Sequence, residues 1–248
     1  MSLKQPLEIK ENALFISDAH DNVTREAFYR FLCAIDEGEI TTPQLFLMGD
    51  MFDLLVGQVT YTHKHYQKTI NLINKLSQNI EIIYIEGNHD FNLKKVFPNV
   101  TVIPIQKQPL TAHFHEHTFL LSHGDWNENQ NYRLYTKIIR NPFLLTLLNL
   151  LDNLRQNHIS KSILKKQQLK YICFKITNFH EYIKQKIQKY DIESSKIDFI
   201  CEGHHHQNRE FVFDSVIYKN FSSFACDKSY YQITFTDRVV FKEVLIRG

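Results

Sequence analysis

"IEIIYIEGNHD", residues 80–90, decides how the rest of the chain reads. Its first half, Ile80 to Ile85, is short and apolar, the composition of a buried strand. Its second half, Gly87-Asn88-His89-Asp90, is a polar turn. The same arrangement recurs four times. "ALFIS" (13–17) leads into Asp18-Ala19-His20, and "QLFLM" (44–48) into Gly49-Asp50-Met51-Phe52-Asp53. "TFLLS" (118–122) leads into His123-Gly124-Asp125, and "DFICE" (198–202) into Gly203-His204-His205-His206. Helical patterns run from Thr24 to Ile35, with Thr24 placed to cap the first turn, and roughly from Thr62 to Leu76. A β-α-β-α-β order predicts an α/β fold with helices packed on a largely parallel sheet. In such a sheet ligand sites form past the C-terminal ends of the strands, where all five polar sets stand.

Strand patterns continue at 100–105, 110–115 and 117–122, then at 197–201, 209–213, 215–220, 230–235 and 239–246. Residues 126–196 differ, being helical in pattern with Pro142 as their one proline. The predicted organisation is a core of residues 1–125 and 197–248 carrying a helical insertion, 126–196. From Asn129 to Tyr190 there are twelve Lys or Arg and two acids, Asp152 and Glu181. That excess predicts attraction to an anion or an anionic surface. The formal net charge of the whole chain is only +2, so global charge points to no partner class.

Four cysteines, Cys33, Cys173, Cys201 and Cys226, lie far apart with no C-x-x-C pair. This excludes a zinc ribbon and predicts reduced thiols in a cytoplasmic protein. The longest apolar run, "FLLTLLNLL" (143–151), is far shorter than a membrane span. No basic and aromatic nucleic-acid module is visible, and nothing predicts a protein partner.

Asp18, His20, Asp50, Asn88, His123, His204 and His206 supply mixed oxygen and nitrogen donors. That mixture suits divalent ions of intermediate hardness, Mn²⁺ foremost, with Fe²⁺ or Zn²⁺ as alternatives. A shared carboxylate can hold two such ions about 4 Å apart, the spacing of a two-metal phosphoryl-transfer site. The five blocks D-x-H, GD-x-x-D, GNHD, HG and GH-x-H, in this order, resemble the calcineurin-like metallophosphoesterase superfamily. The resemblance implies an αββα sandwich and two metals. One would be held by Asp18, His20, Asp50 and His206, the other by Asp50, Asn88, His123 and His204. It further implies that His89 stands at the leaving oxygen as general acid or charge stabiliser. Asp53 would hydrogen-bond His89 and favour its protonated form. Asp90 reads as a structural hydrogen-bonding residue. His205, between two ligands, should point away from the site. The histidines of "HFHEH" (113–117) read as a solvated hairpin, and His63 and His65 as helix residues without an apparent partner.

The insertion narrows the substrate. After His123-Gly124-Asp125 it is similar to the UDP-2,3-diacylglucosamine diphosphatases of the lipid A pathway. The features that match are Tyr132, Arg140, Pro142 and the apolar helix "FLLTLLNLL", with Phe91 after "GNHD". The match ends near Leu154. Two departures stand out: His89 replaces the usual Arg, and of an expected acidic pair only Glu128 remains. The resemblance implies a nucleotide-linked glycolipid as substrate. Tyr132, Arg133, Lys137 and Arg140 would then meet its phosphates or uridine diphosphate. The leucines of 143–151 would line a lid over acyl chains or rest on the inner-membrane surface as a peripheral contact. The alternative is an amphipathic helix packed on its own domain with solvated cations opposite. A soluble phosphodiesterase or dinucleoside-polyphosphate hydrolase is the competing enzymatic reading, and a catalytically silent metal-binding module the non-enzymatic one.

Overall fold

The computed structural model describes residues 6–126, 130–190 and 196–246. Two six-stranded sheets form its centre. In the first, Leu14–Ile16, Gln44–Leu47, Glu81–Ile85 and Thr101–Ile103 run parallel in that order. The antiparallel pair Ser229–Phe235 and Val239–Leu245 extends it beside Leu14–Ile16. In the second, His117–Ser122, Phe199–Glu202 and Val216–Asn220 are parallel neighbours. Leu110–Phe114 and Leu7–Glu8 lie on one side of them, and Arg209–Phe213 on the other.

The alternation of side chains along each strand builds the layers. Phe15, Phe46 and Ile83 face inward and meet Phe119, Leu121, Phe199 and Phe221 of the second sheet. Phe15 stacks on Phe46 at 4.3 Å and Phe119 on Phe199 at 4.5 Å. Phe15 also reaches Phe221 at 5.6 Å, tying the sheets together. Leu14, Ile16, Leu45 and Leu47 face outward and are covered by Phe28, Phe31, Leu32, Ile70 and Ile73. These come from the helices Ala27–Asp36 and Gln67–Leu76. On the far side Leu120, Ile200 and Tyr218 are covered by Phe179, Ile183 and Ile187 of the helix Phe179–Ile187. The result is the αββα sandwich. Its outer layer over the second sheet is drawn from the segment read as an insertion. Three further helices of that segment, Gln130–Ile139, Pro142–Leu154 and His158–Gln168, lie beside the strand ends. Glu128 and the segment's stretches 127–129 and 191–195 fall outside the described residues.

Some local expectations change. The first helix begins at Ala27, not Thr24. Asn22 claims the intervening backbone, its side-chain oxygen accepting from the Thr24 and Arg25 amides. The pattern 62–76 is two helices, Thr60–His65 and Gln67–Leu76, broken at Tyr66. Its ring turns in against Phe52, 4.9 Å away. His63 does have a partner, since its Nε2 lies 2.9 Å from the Val56 carbonyl. His115 stacks on Phe235 at 4.3 Å at the turn of its hairpin. The expectation of four reduced thiols is wrong. Cys173 and Cys226 form a disulfide, leaving Cys33 and Cys201 free. The two halves lie 53 residues apart and are brought together only by the tertiary fold.

Candidate metal centre

The loops after five strands converge at one end of the sandwich, and their backbones are unusual. Asp18, His20, Asp50, His204 and His206 all have positive φ, between 44° and 64°. For residues with a Cβ that conformation costs about 1–3 kcal/mol each and persists only where the surroundings enforce it. Asp90 supplies much of that enforcement. Its carboxylate accepts from the amides of Asp50 (3.0 Å), Met51 (2.6 Å) and Gly87 (2.9 Å) and from the Tyr84 hydroxyl (2.6 Å). Burial first, and the Asp50 charge second, push its carboxyl up to about 7. The structural role expected for Asp90 is what these contacts describe. Gly87 is required next to it, because a Cβ there would overlap Asp50 Oδ1 and the Asp50 amide.

Two groups of donors result. The ligand atoms of Asp18, His20 and His206 lie within 4.8 Å of one another, as do those of Asp50, His123 and His204. In the first, His206 Nε2 is 3.1 Å from Asp18 Oδ1. In the second, His123 Nε2 is 3.3 Å from Asp50 Oδ2 and 3.2 Å from His204 Nδ1. Asn88 Oδ1 joins the second at 3.3 Å from His123 Nε2. The other ring nitrogens are used to aim these. His123 Nδ1 donates to the Met48 carbonyl at 3.0 Å and His206 Nδ1 to the Ile172 carbonyl at 2.8 Å. Such outer contacts set which nitrogen faces a metal. His20 is buried with neither ring nitrogen hydrogen-bonded among the described residues. A buried imidazole left so is costly, and a cation beside Asp18 and His206 would satisfy it. The donor set therefore fits divalent metal ions.

The electrostatics agree. Burial, the largest single influence, would raise the Asp50 carboxyl, but His123, His89 and His20 together hold the group well below the usual range. Burial likewise opposes the shift at Asp18, where His206 wins and the net direction is down. Conversely, Asp50 raises His123 and Asp18 raises His206 against the effect of burial. Burial and then His123 push His204 down to about 4, so it is a neutral imidazole at neutral pH and ready to ligate. A divalent ion entering either group must displace protons from the two histidines whose affinity for them is raised. Binding should therefore release protons, and affinity should rise with pH through the neutral range. Calorimetric titration with Mn²⁺ in buffers of different ionisation enthalpy measures this; binding without proton release would contradict it.

The remaining predicted residues divide. His89 is buried, and its Nδ1 donates to the backbone carbonyl of Asp53 at 2.7 Å. The expected Asp53 contact is thus made by the main chain. The Asp53 carboxylate instead binds Arg25 Nη2 at 2.5 Å and Asn22 Nδ2 at 2.6 Å, and lies 3.6 Å from His20 Nδ1. Arg140 is buried, donates through Nη2 to the Gly87 carbonyl at 2.9 Å, and stands over Phe91 at 5.1 Å. Its Nε and Nη1 have no partner among the described residues. Tyr132 donates to Asp125 Oδ2 at 3.0 Å. Arg133 and Lys137, on the same helix, are exposed and are not among the residues that line the cavity beside His89. His205 faces away from the donors, its ring 5.2 Å from Tyr182 and 5.5 Å from Phe179. Sequence reasoning missed Asn22 and Arg25, which brace Asp53. It also missed Gln108, whose side-chain oxygen accepts from the His123 amide at 2.8 Å.

Beside His89 and Asn88 opens a cavity of about 530 Å³. The core side contributes Leu54, Val56, Val59 and Phe91. The facing helices contribute Leu144, Leu145, Leu148, Ile159 and Ile163, with Arg140 close to the metal end.

The profile of the calcineurin-like phosphoesterases matches residues 12–208. The chain is 24% identical over 220 residues to the UDP-2,3-diacylglucosamine hydrolase of Wigglesworthia glossinidia brevipalpis, covering 84% of each protein. It is 23% identical to the protein of that name from Psychromonas ingrahamii, covering 78% of each. A solved archaeal phosphodiesterase aligns over 95% of this chain and 99% of its own, with a TM-score of 0.47 and 12% identity. The chain belongs to the calcineurin-like phosphoesterase family and is a metal-dependent phosphoester hydrolase.

Proposed function

We propose that the chain is a two-metal pyrophosphatase that hydrolyses UDP-2,3-diacylglucosamine to UMP and 2,3-diacylglucosamine 1-phosphate. The observation that carries this reading is the apolar cavity that begins at Asn88 and His89 and runs under the Pro142–Leu154 helix. A soluble nucleotide or phosphodiester has no use for such a lining, whereas acyl chains gain about 0.8 kcal/mol per buried CH₂. The names of the similar hydrolases support the same substrate.

In this reading Asp18, His20 and His206 hold one ion, and Asn88, His123 and His204 the other. Asp50 would serve both ions, in keeping with its electrostatic influence on both His20 and Asp18. Mn²⁺ is the expected metal. When bound, the two ions supply a hydroxide nucleophile and neutralise phosphoryl charge. The chain's own groups do the rest. The unpaired Nε and Nη1 of Arg140 offer donors to a diphosphate oxygen. His89, backed by the Asp53 carbonyl, meets the leaving oxygen. The helices Gln130–Ile139, Pro142–Leu154 and His158–Gln168 act as the lid.

The lid's outer surface supports peripheral contact with the cytoplasmic face of a membrane. Phe143, Leu147, Leu150, Leu151 and Leu154 are all exposed, Phe143 at 88%. Lys161, Lys165, Lys166 and Lys170 follow on or just past the next helix. An exposed apolar stripe followed along the chain by exposed cations suits an anionic bilayer surface. No described helix is long and apolar enough to cross the membrane.

Purified protein with Mn²⁺ should release UMP from UDP-2,3-diacylglucosamine; no UMP would sink the proposal. A soluble phosphodiesterase remains the second reading, favoured by His89 in place of the lipid family's usual Arg. Polar replacement of Leu144, Leu145 and Leu148 separates them. Lipid hydrolysis should fall by about 10²-fold or more, because each acyl methylene that these side chains cover is worth about 0.8 kcal/mol. Turnover of bis-p-nitrophenyl phosphate should survive.

A further inference from the structure

The Cys173–Cys226 disulfide has no role in the reaction described above, yet both of its ends sit one step from a metal donor. Residues 170–176 form an irregular strap after the His158–Gln168 helix. The Ile172 carbonyl, next to Cys173, accepts the Nδ1 proton of His206. The strap is held further by Gln207, whose Oε1 accepts from the Ile176 amide at 2.8 Å and whose Nε2 donates to the Phe174 carbonyl at 3.1 Å. The ring of Phe174 lies 6.2 Å from that of His206. These contacts join the strap to residues 206–207, while Ile176 at its end packs on the core beside Phe179.

Cys226 belongs to the short helix Phe224–Asp227, which grips the other donor loop. The Phe224 amide donates to the Ser17 carbonyl at 2.9 Å and the Ala225 amide to the Asp18 carbonyl at 3.1 Å. Ser223 Oγ donates to the same Asp18 carbonyl at 2.8 Å. The disulfide therefore closes a loop of contacts: Asp18, the 224–227 helix, Cys226, Cys173, Ile172, His206. The loop ends on the 3.1 Å approach of His206 Nε2 to Asp18 Oδ1. Both ends belong to one donor group. The His123 side of the second group is aimed by Met48, Gln108 and Asn88, which lie in other loops; His204 is tied to the first group, its amide donating to Asp18 Oδ2 at 2.9 Å.

We propose that the Cys173–Cys226 disulfide positions the Asp18–His20–His206 group, so that reducing it loosens that group's hold on a divalent ion and spares the Asp50–Asn88–His123–His204 group. The inference rests on the metal reading above. The bond is reachable. Both cysteines are half-buried, and Cys226 lines a solvent-open cleft of about 770 Å³ with Lys175 and Arg209. A dithiol reductant would attack one sulfur, form a mixed disulfide, and close to its own disulfide. Two electrons and two protons pass to the chain, leaving the Cys173 and Cys226 thiols. Loss of a contact that orients a ligating histidine typically weakens metal binding about 10–100-fold.

The test is Mn²⁺ binding, read by calorimetry and by paramagnetic resonance of free Mn²⁺. Oxidised wild type, the same sample after phosphine reduction and gel filtration, and Cys173→Ser/Cys226→Ser are compared, with Cys33→Ser as control. Circular dichroism and thiol titration accompany each. The oxidised chain and the control should bind two ions. The reduced and double-serine chains should bind one ion as before and the other about 10–100-fold more weakly, and reoxidation should restore the reduced sample. Two unchanged affinities in a fully reduced chain would overturn the inference. So would equal weakening of both sites or general unfolding, since the effect would not be local. If the oxidised wild type binds no Mn²⁺, the metal reading itself fails, an outcome distinct from the others.

Discussion

Asp50→Asn should reduce hydrolysis by about 10³-fold or more, because it removes the charge shared by two cations. Bound Mn²⁺ should fall from two per chain, while the fold survives. Asp50 is buried between the two donor groups, with Oδ1 accepting from the His89 amide at 2.8 Å and Oδ2 turned to His123 at 3.3 Å. Asparagine fits the same space and can still accept one hydrogen bond. Its neutral amide cannot supply the charge that two cations share, and it must turn an NH₂ toward either an amide or His123. Metal analysis with circular dichroism reads the two effects separately. His205→Ala gives the contrast. It opens space beneath Tyr182 and Phe179 and lowers stability, but it should keep both ions.

His89→Ala should lower kcat by about 10²–10⁴-fold, the usual contribution of a positioned proton donor, with Mn²⁺ binding nearly unchanged. The separation follows from which atoms do what. His89 holds Asp50 through its backbone amide, which alanine retains. Its ring is held by the Asp53 carbonyl and stands at 5.0 Å, edge-on to His20, beside the mouth of the cavity. Steady-state kinetics and a binding isotherm on the same preparation check this. A loss of metal equal to the loss of kcat would assign His89 a structural role instead.

The strand-end donors were legible because the signal is local: an apolar run followed at once by Asp, Asn or His, repeated in order along the chain. The fold class followed from the order of those runs. Contacts that depend on two distant segments were not legible. Cys173 and Cys226 meet only when the strap crosses the 224–227 helix. Asp53 meets His89 through a carbonyl oxygen, which every residue has, so no side-chain pattern could reveal it. The Phe179–Ile187 helix reads as basic and amphipathic, yet its apolar face completes the sandwich over Leu120 and Ile200.

Helical periodicity sets Tyr132, Tyr135, Thr136, Ile139 and Arg140 on one face, and that face lines the cavity. Arg133 and Lys137 border that face next to Arg140 and are exposed. Spacing groups Arg133, Lys137 and Arg140 at i, i+4 and i+7; only burial against the core, which needs the tertiary fold, singles out Arg140.

The most direct test of the account is the ratio of kcat/KM for UDP-2,3-diacylglucosamine to that for UDP-N-acetylglucosamine, measured with Mn²⁺. The two share a diphosphate for the metal centre and differ in the chains offered to the cavity under Leu144, Leu145 and Leu148. The account predicts a preference of about 10³-fold or more for the acylated substrate, from only five or six buried methylenes at about 0.8 kcal/mol each. Equal rates on the two substrates would contradict it.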